Sequence, residues 1–253
     1  MLASMRLPAR TLGLAALGLA LLAPAAGDGS ELRVGAATSL REVVAAGARS
    51  FEAAHPGLRV RVSYGASSAL AAQVRAGAPL DALLAADADI ARALAGAGLA
   101  EAPLVLARNR LVVVSAPGVA LRTPEDLLAL DRIAAPEYAV PVGRYAREWL
   151  AARGLLEPLR AKLIPTEHAR ATLAAVDQGA VDAAIVYATD VPMARRARLA
   201  FEVPAEEQPE IVYAACVLTG GAAPEAARAF LAWWAAPEGR ARLEEGGFTP
   251  ATP

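Results

Sequence analysis

Apolar and polar positions follow two rhythms that take turns along the chain. Residues 31–34 begin with the period-two pattern of a strand, and beyond them Leu40, Val43, Val44, Gly47, Ala48 and Phe51 recur at helical spacing. Residues 58–64 alternate at period two again, and a second helical stretch follows with Leu70 and Val74, closed by Gly77 and Pro79. A third apolar strand, 80–86, gives way at Asp87, a helix cap, to a helix through Leu94. Asp81 inside that apolar run predicts a structural carboxylate paired with a backbone donor or a nearby charge. Residues 111–114 are β-branched and strand-like, and Thr123 with Pro124 and Asp126 predicts a capped helix start.

The second half keeps the same alternation. Strands are predicted over 132–135, 181–187, 200–204 and 211–218, and helices over 144–152, around Leu159, over 171–177, over 225–235 and from Pro237 to Gly247. Strand and helix in turn predict an α/β fold with parallel sheets covered on both faces. No long Pro/Gly/Ser linker interrupts the pattern, so two lobes would be joined by extended segments. Residues 109–114 and 211–218 are the candidate crossings, with the final helices returning to the first lobe.

The stretch between the first strand and its helix, Ala36-Ala37-Thr38-Ser39-Leu40, is built of small residues. Ser39 stands at the predicted N-cap, where its hydroxyl either caps its own helix or faces a ligand. Free backbone N–H groups and the positive end of the helix dipole make such a turn a seat for anions. The second strand runs into an echo of it, Tyr64-Gly65-Ala66-Ser67-Ser68. Two serine-bearing turns from consecutive strand–helix units can converge at the carboxyl edge of one parallel sheet, where α/β folds hold ligands. That repetition favours ligand contact over capping for Ser39 and Ser67.

Composition narrows the setting. The chain of 253 residues has 25 Lys and Arg against 26 Asp and Glu, a formal net charge of −1. With interspersed charges and few aromatics, nothing points to nucleic acid. Residues 1–25 read as a cleavable signal peptide: Arg6 and Arg10 precede an apolar run over 11–22, and Ala23-Pro24-Ala25 offers small residues for cleavage. The expected location is therefore outside the cytoplasm, in a periplasm. The single cysteine, Cys216, lies in an apolar strand and predicts a buried, inert thiol.

Several chemistries are disfavoured. His55 and His168 are the only histidines and stand apart, so no metal cluster is predicted. No glycine-rich dinucleotide fingerprint follows the first strand, and there is no P-loop lysine. Gly65-Ala66-Ser67-Ser68-Ala69 approaches a nucleophile elbow but lacks its second glycine. A serine hydrolase using Ser67, with Ser39 in an oxyanion hole, is the alternative from another class. What remains is a set of neutral donors suited to a compact, fully ionised oxyanion.

Five motifs occur in one order. They are Ala36-Ala37-Thr38-Ser39-Leu40, Tyr64-Gly65-Ala66-Ser67-Ser68, Gly77-Ala78-Pro79-Leu80-Asp81 with Ala86-Asp87, Pro141-Val142-Gly143-Arg144-Tyr145-Ala146, and Ala184-Ile185-Val186-Tyr187-Ala188-Thr189-Asp190. In this order the chain resembles the periplasmic molybdate-binding proteins of ABC transporters, from the first predicted strand to the last helix. The resemblance implies an α/β, two-lobed periplasmic-binding-protein fold of type II, with parallel or mixed sheets flanked by helices and the ligand in the cleft between lobes. It divides the chain into lobe 1 (30–109 with 215–253) and lobe 2 (110–214). It implies molybdate, and tungstate with it, held through its oxygens by the hydroxyls of Ser39 and Ser67, the amides of Val142 and Ala169, and the hydroxyl of Tyr187. Ser68 is an alternative to Ser67. No cofactor and no direct metal ligand are implied, and the protein is expected to be a monomer, not an enzyme, that delivers its anion to a membrane ABC permease. Sulfate or phosphate is the alternative ligand. Val142 stands where relatives often have alanine, and His168 where an acid is common; a histidine there suggests a pH-dependent site.

Overall fold

The computed structural model describes residues 30–252, and the predicted signal peptide, 1–25, lies outside them. The first lobe opens with strand β1 (Ser30–Ala37), a 3-10 turn (Thr38–Leu40) and helix α1 (Arg41–Ala54), followed by β2 (Leu58–Gly65), α2 (Ser67–Arg75), β3 (Ala82–Ala85), α3 (Ala88–Gly96) and β4 (Leu104–Asn109). Strand β5 (Leu111–Ser115) starts the second lobe. It continues through β6 (Ile133–Pro136), α4 (Pro141–Ala152), the one-turn α5 (Leu156–Leu159), β7 (Leu163–Thr166), α6 (Ala169–Asp177), β8 (Ala183–Tyr187) and β9 (Arg198–Glu202). The chain then returns to the first lobe with β10 (Ile211–Val217), α7 (Pro224–Ala235), α8 (Pro237–Glu245) and a short β11 (Thr249–Pro250).

Two sheets result. The first has the order β11-β4-β10-β3-β1-β2 and the second β7-β6-β8-β5-β9. Both are mixed rather than parallel. β1 pairs in parallel with β2 and β3, while β10 runs antiparallel to β3 and β4. In the second sheet β6 is parallel to β7 and β8, and β5 is antiparallel to β8 and β9. Apart from the terminal β11, which runs antiparallel to β4, the antiparallel pairs are made by β5 and β10, the strands that follow the crossings.

The crossings are shorter than the sequence pattern suggests. The outward one is the step from Asn109 to Leu111, where β4 ends and β5 begins. All of Ile211–Val217 pairs within the first sheet, so the return crossing is 203–210, and the boundary drawn at 215 falls inside β10. A strand's own pattern tells that it is a strand; its partners decide which sheet it joins. Gln208 binds the two crossings together: its Oε1 accepts from the Leu111 amide at 2.8 Å and its Nε2 donates to the Leu111 carbonyl at 2.9 Å.

Helices cover the sheets through their apolar faces. In α1, Val43, Val44, Gly47, Ala48 and Phe51 are buried, the face set by the helical period. A Cβ at Gly47 would lie 2.5 Å from the Trp234 ring of α7, so these helices approach as closely as only glycine permits. Cys216 is buried in β10, and burial pushes its thiol up to about 12. Among the described residues no helix is long and apolar enough to cross a membrane.

Asp81 is structural, as its place in an apolar run implies. Buried just before β3, it accepts from the Arg33 amide at 2.7 Å and the Ala223 amide at 2.8 Å, joining β1 to the start of α7. Asp81→Ala should leave two buried amides without acceptors and lower unfolding free energy by about 3 kcal/mol, measured by urea titration.

Candidate functional site

Register brings the two serine turns together. β1 and β2 pair in step from Ser30↔Leu58 to Ala37↔Gly65, so both strands end at the same edge. The turn bearing Ser39 and the start of α2 bearing Ser67 therefore lie side by side. The second lobe repeats the device. β6 pairs with β7 from Ile133↔Leu163 to Pro136↔Thr166, and β8 runs parallel on its other flank. Val142 at the start of α4, Ala169 at the start of α6 and Tyr187 at the end of β8 thus share one carboxyl edge.

The two edges face each other. Ser39, Ser67, Val142, Ala169 and Tyr187 all line one cavity of ≈ 10 Å³, the room of about one water-sized group, together with Thr38, Ala66, Ala86 and His168. No Asp, Glu, Lys or Arg lines it. Ion pairs bridge the lobes just outside, Arg144 to Asp87 at 2.6 Å and Arg170 to Glu42. A wider groove of ≈ 330 Å³ opens beside it and shares Ser39, but presents charged side chains and apolar surface (Glu42, Arg170, Met193, Phe248) rather than converging neutral donors.

Each donor is prepared differently. Ser67 Oγ accepts a hydrogen bond from the Ala86 amide at 3.0 Å, which fills an acceptor site and leaves the hydroxyl proton to be given elsewhere. Ser39 is not a helix cap: it sits inside the 3-10 turn, neither Ala37 nor Leu40 has a side-chain cap, and its Oγ lies 2.9 Å from the hydroxyl of Tyr213. Val142 and Ala169 are in the first turns of α4 and α6, where amides lack intrahelical acceptors and the helix dipole is positive. Gly143 keeps the first of these in place, because a Cβ there would collide with the carbonyl oxygens of Pro136 and Glu137. Tyr187 is buried and its hydroxyl has no hydrogen-bond partner in the protein. Burial holds that phenol well above its ordinary pKa, so it remains a neutral donor.

His168 is the N-cap of α6, its Nδ1 accepting from the Ala171 amide at 3.1 Å. It lines the cavity with Ser67, but that nitrogen is committed to the helix. Among the described residues no three His, Cys, Asp or Glu side chains are grouped to hold a metal.

Sequence reasoning missed Tyr213 and Asn109. Asn109 Nδ2 donates to Tyr213 at 3.3 Å and to Thr189 Oγ1 at 2.9 Å, linking the end of β4 to the second lobe. The available signal was the tyrosine itself: a phenol in the apolar strand 211–218 must find a polar partner when buried.

The first functional statement comes from the match of residues 32–249 to the family described as bacterial extracellular solute-binding protein. The chain belongs to that family. It is a binding protein, not an enzyme, and the hydrolase alternative falls with that assignment. It is 31% identical to the molybdate-binding protein ModA of Escherichia coli over 218 residues, covering 81% of this chain and 84% of the relative. Its fold is that of the type II periplasmic binding proteins. The periplasmic molybdate-binding protein of Azotobacter vinelandii superposes with a TM-score of 0.77 at 23% identity, over 88% of this chain and 99% of that one. The sulfate-binding protein SubI of Mycobacterium tuberculosis matches equally in fold, with a TM-score of 0.77 at 17% identity over 88% of each chain.

Asp190 is a titratable group hydrogen-bonded to the Tyr187 backbone. Fully buried, its Oδ2 accepts from the Tyr187 amide at 3.3 Å, while its Oδ1 lies 3.6 Å from Arg170 Nε. Burial pushes this carboxyl up to about 6 against the pull of Arg170. An acid whose folded pKa is raised favours folding most fully below the unfolded pKa, and that contribution is lost as pH rises through about 6. Asp190→Asn should therefore gain about 3 kcal/mol relative to the parent between about pH 4 and pH 7. Urea unfolding of both proteins across that window reads the difference.

Proposed function

We propose that this solute-binding protein is the extracytoplasmic receptor of an ABC transporter and captures molybdate, with tungstate held by the same donors. The observation that carries the reading is the cavity lined by neutral donors from both lobes, including a buried phenol without a protein partner. A tetrahedral dianion, larger than the ≈ 10 Å³ left between the lobes here, would hold them slightly further apart and share its four oxygens among five donors: the hydroxyls of Ser39, Ser67 and Tyr187 and the amides of Val142 and Ala169. A hydrogen bond to a charged acceptor contributes about 1.5–3 kcal/mol net, so no counter-charge is required. The 31% identity to a molybdate-binding relative supports this ligand.

Capture follows from the two-edge construction. Each lobe supplies only part of the donor set, so the anion is fully coordinated when the lobes meet and shifts the equilibrium toward that arrangement. A monomer in the periplasm, exported by the segment 1–25, would then present the closed form to its membrane permease. Sulfate is the second reading, since it is also a fully ionised tetrahedral dianion. Hydrogenphosphate is disfavoured, because its own proton meets donors where it needs an acceptor.

A thermal-shift panel tests the ligand. Molybdate and tungstate at about 100 times Kd should raise Tm by about 5–10 °C, because they bind the folded state alone, and phosphate should leave it unchanged. A shift with sulfate and none with molybdate would overturn the assignment. In the same assay Tyr187→Phe should weaken molybdate about 10-fold or more by calorimetry, while Val142→Ala, which keeps the backbone donor, should be nearly silent.

A further inference from the structure

We infer that Tyr213, outside the cavity, is a positioning residue that sets the direction of the Ser39 hydroxyl, through a relay running from Asn109 to Tyr213 to Ser39. The inference rests on the oxyanion reading above and adds to it what makes Ser39 a donor.

The direction of each bond can be derived. Asn109 Oδ1 accepts from the Arg110 amide at 2.8 Å, which fixes the side-chain amide with its nitrogen on the opposite side. The two protons on that nitrogen go to Thr189 Oγ1 at 2.9 Å and to the Tyr213 oxygen at 3.3 Å. The Tyr213 oxygen is thus an acceptor on its Asn109 side. Its phenol keeps its single proton, since burial holds it well above the ordinary tyrosine range. Of the two hydroxyls beside it, Ser39 Oγ is the one at a hydrogen-bond distance of 2.9 Å, so the relay gives that proton to Ser39 rather than to the neighbouring Tyr187.

Ser39 therefore accepts from Tyr213 and cannot donate back along the same line. Its own proton is left for the cavity that Ser39 lines. Ser67 reaches the same condition by a shorter route, accepting from the Ala86 amide. Both serines are made donors to the anion by an acceptor role satisfied behind them. The ring of Tyr213 is itself held between Tyr187 at 5.7 Å and Phe248 at 5.2 Å, both edge-on, so the phenol oxygen has little freedom to wander.

The test is a double-mutant cycle read as molybdate Kd by calorimetry. Ser39→Ala should weaken binding about 10- to 100-fold, the loss of one charged hydrogen bond. Tyr213→Phe, which keeps the ring and deletes the relay, should weaken it about 3- to 30-fold. In the Ser39→Ala background Tyr213→Phe should then change Kd by less than about twofold, since it acts through a hydroxyl that is gone. An equal loss in both backgrounds would make Tyr213 a packing residue and overturn the relay, as would Tyr213→Phe leaving Kd unchanged alone. If Ser39→Ala itself has no effect, Ser39 is not a ligand residue and the site assignment fails together with the relay, visibly in the single variant. Thermal melting checks that each variant folds. Should Tyr213→Phe not fold, Asn109→Ala enters the same cycle: it leaves the phenol free to reverse and should weaken binding about 2- to 5-fold, again only when Ser39 is present.

Discussion

The parallel pairing of β1 with β2, in register up to Ala37↔Gly65, is the constraint on which the cavity depends. Parallel strands end at one edge, and each must leave that edge through a turn into a helix. Two such turns placed side by side bring together two serines and two sets of helix-start amides. The second sheet repeats this with β6, β7 and β8, whose ends supply Val142, Ala169 and Tyr187. A one-residue slip in either register would move a turn by about 3.3 Å and reverse the face of every side chain on that strand. The buried, alternating positions of Leu32 and Val34 resist that slip in β1.

The features readable in the sequence are those encoded locally. Small residues after a strand, a serine among them and an amphipathic helix beyond define the turns at Ser39 and Ser67. Asp81 was legible because a carboxylate in an apolar run must be paired. The sequence favours ligand contact over capping for Ser39 but puts it at the N-cap position, and that position is not kept for a nonlocal reason: its Oγ pairs with Tyr213, 174 positions away. β10 was misassigned as a crossing for a related reason. Its apolar run says strand, yet its place between β3 and β4 is set by edges it finds only in the folded chain. Tyr213 sits in that same run and looks like ordinary core until its neighbours are known.

Charge is kept off the cavity lining and placed one layer out. A guanidinium in the cavity would bind an anion strongly but would carry its own desolvation cost, and it would attract any anion of either protonation state. Hydroxyls and amides avoid the first problem, and when their acceptor sides are filled they also choose against protonated ligands. On the oxyanion reading the neutral lining is therefore a source of selectivity, provided that something fixes the hydroxyl directions. Ala86 does this for Ser67, and the Asn109–Tyr213 pair is placed to do it for Ser39.

The same separation bears on how such a cleft can respond to ligand. Arg144–Asp87 and Arg170–Glu42 form only when the lobes are together, and they favour that arrangement whether or not an anion is present. Opposing them is the Tyr187 hydroxyl, buried without a protein partner, which costs about 1–3 kcal/mol when the lobes close over nothing. Partly exposed ion pairs contribute about 0–1 kcal/mol each, so they offset that cost only in part. An anion removes the unpaired-donor cost and leaves the ion pairs untouched. On the oxyanion reading, ligand dependence comes from the neutral donors, whose partners arrive with the anion, and the charged pairs set only the level from which the equilibrium is shifted.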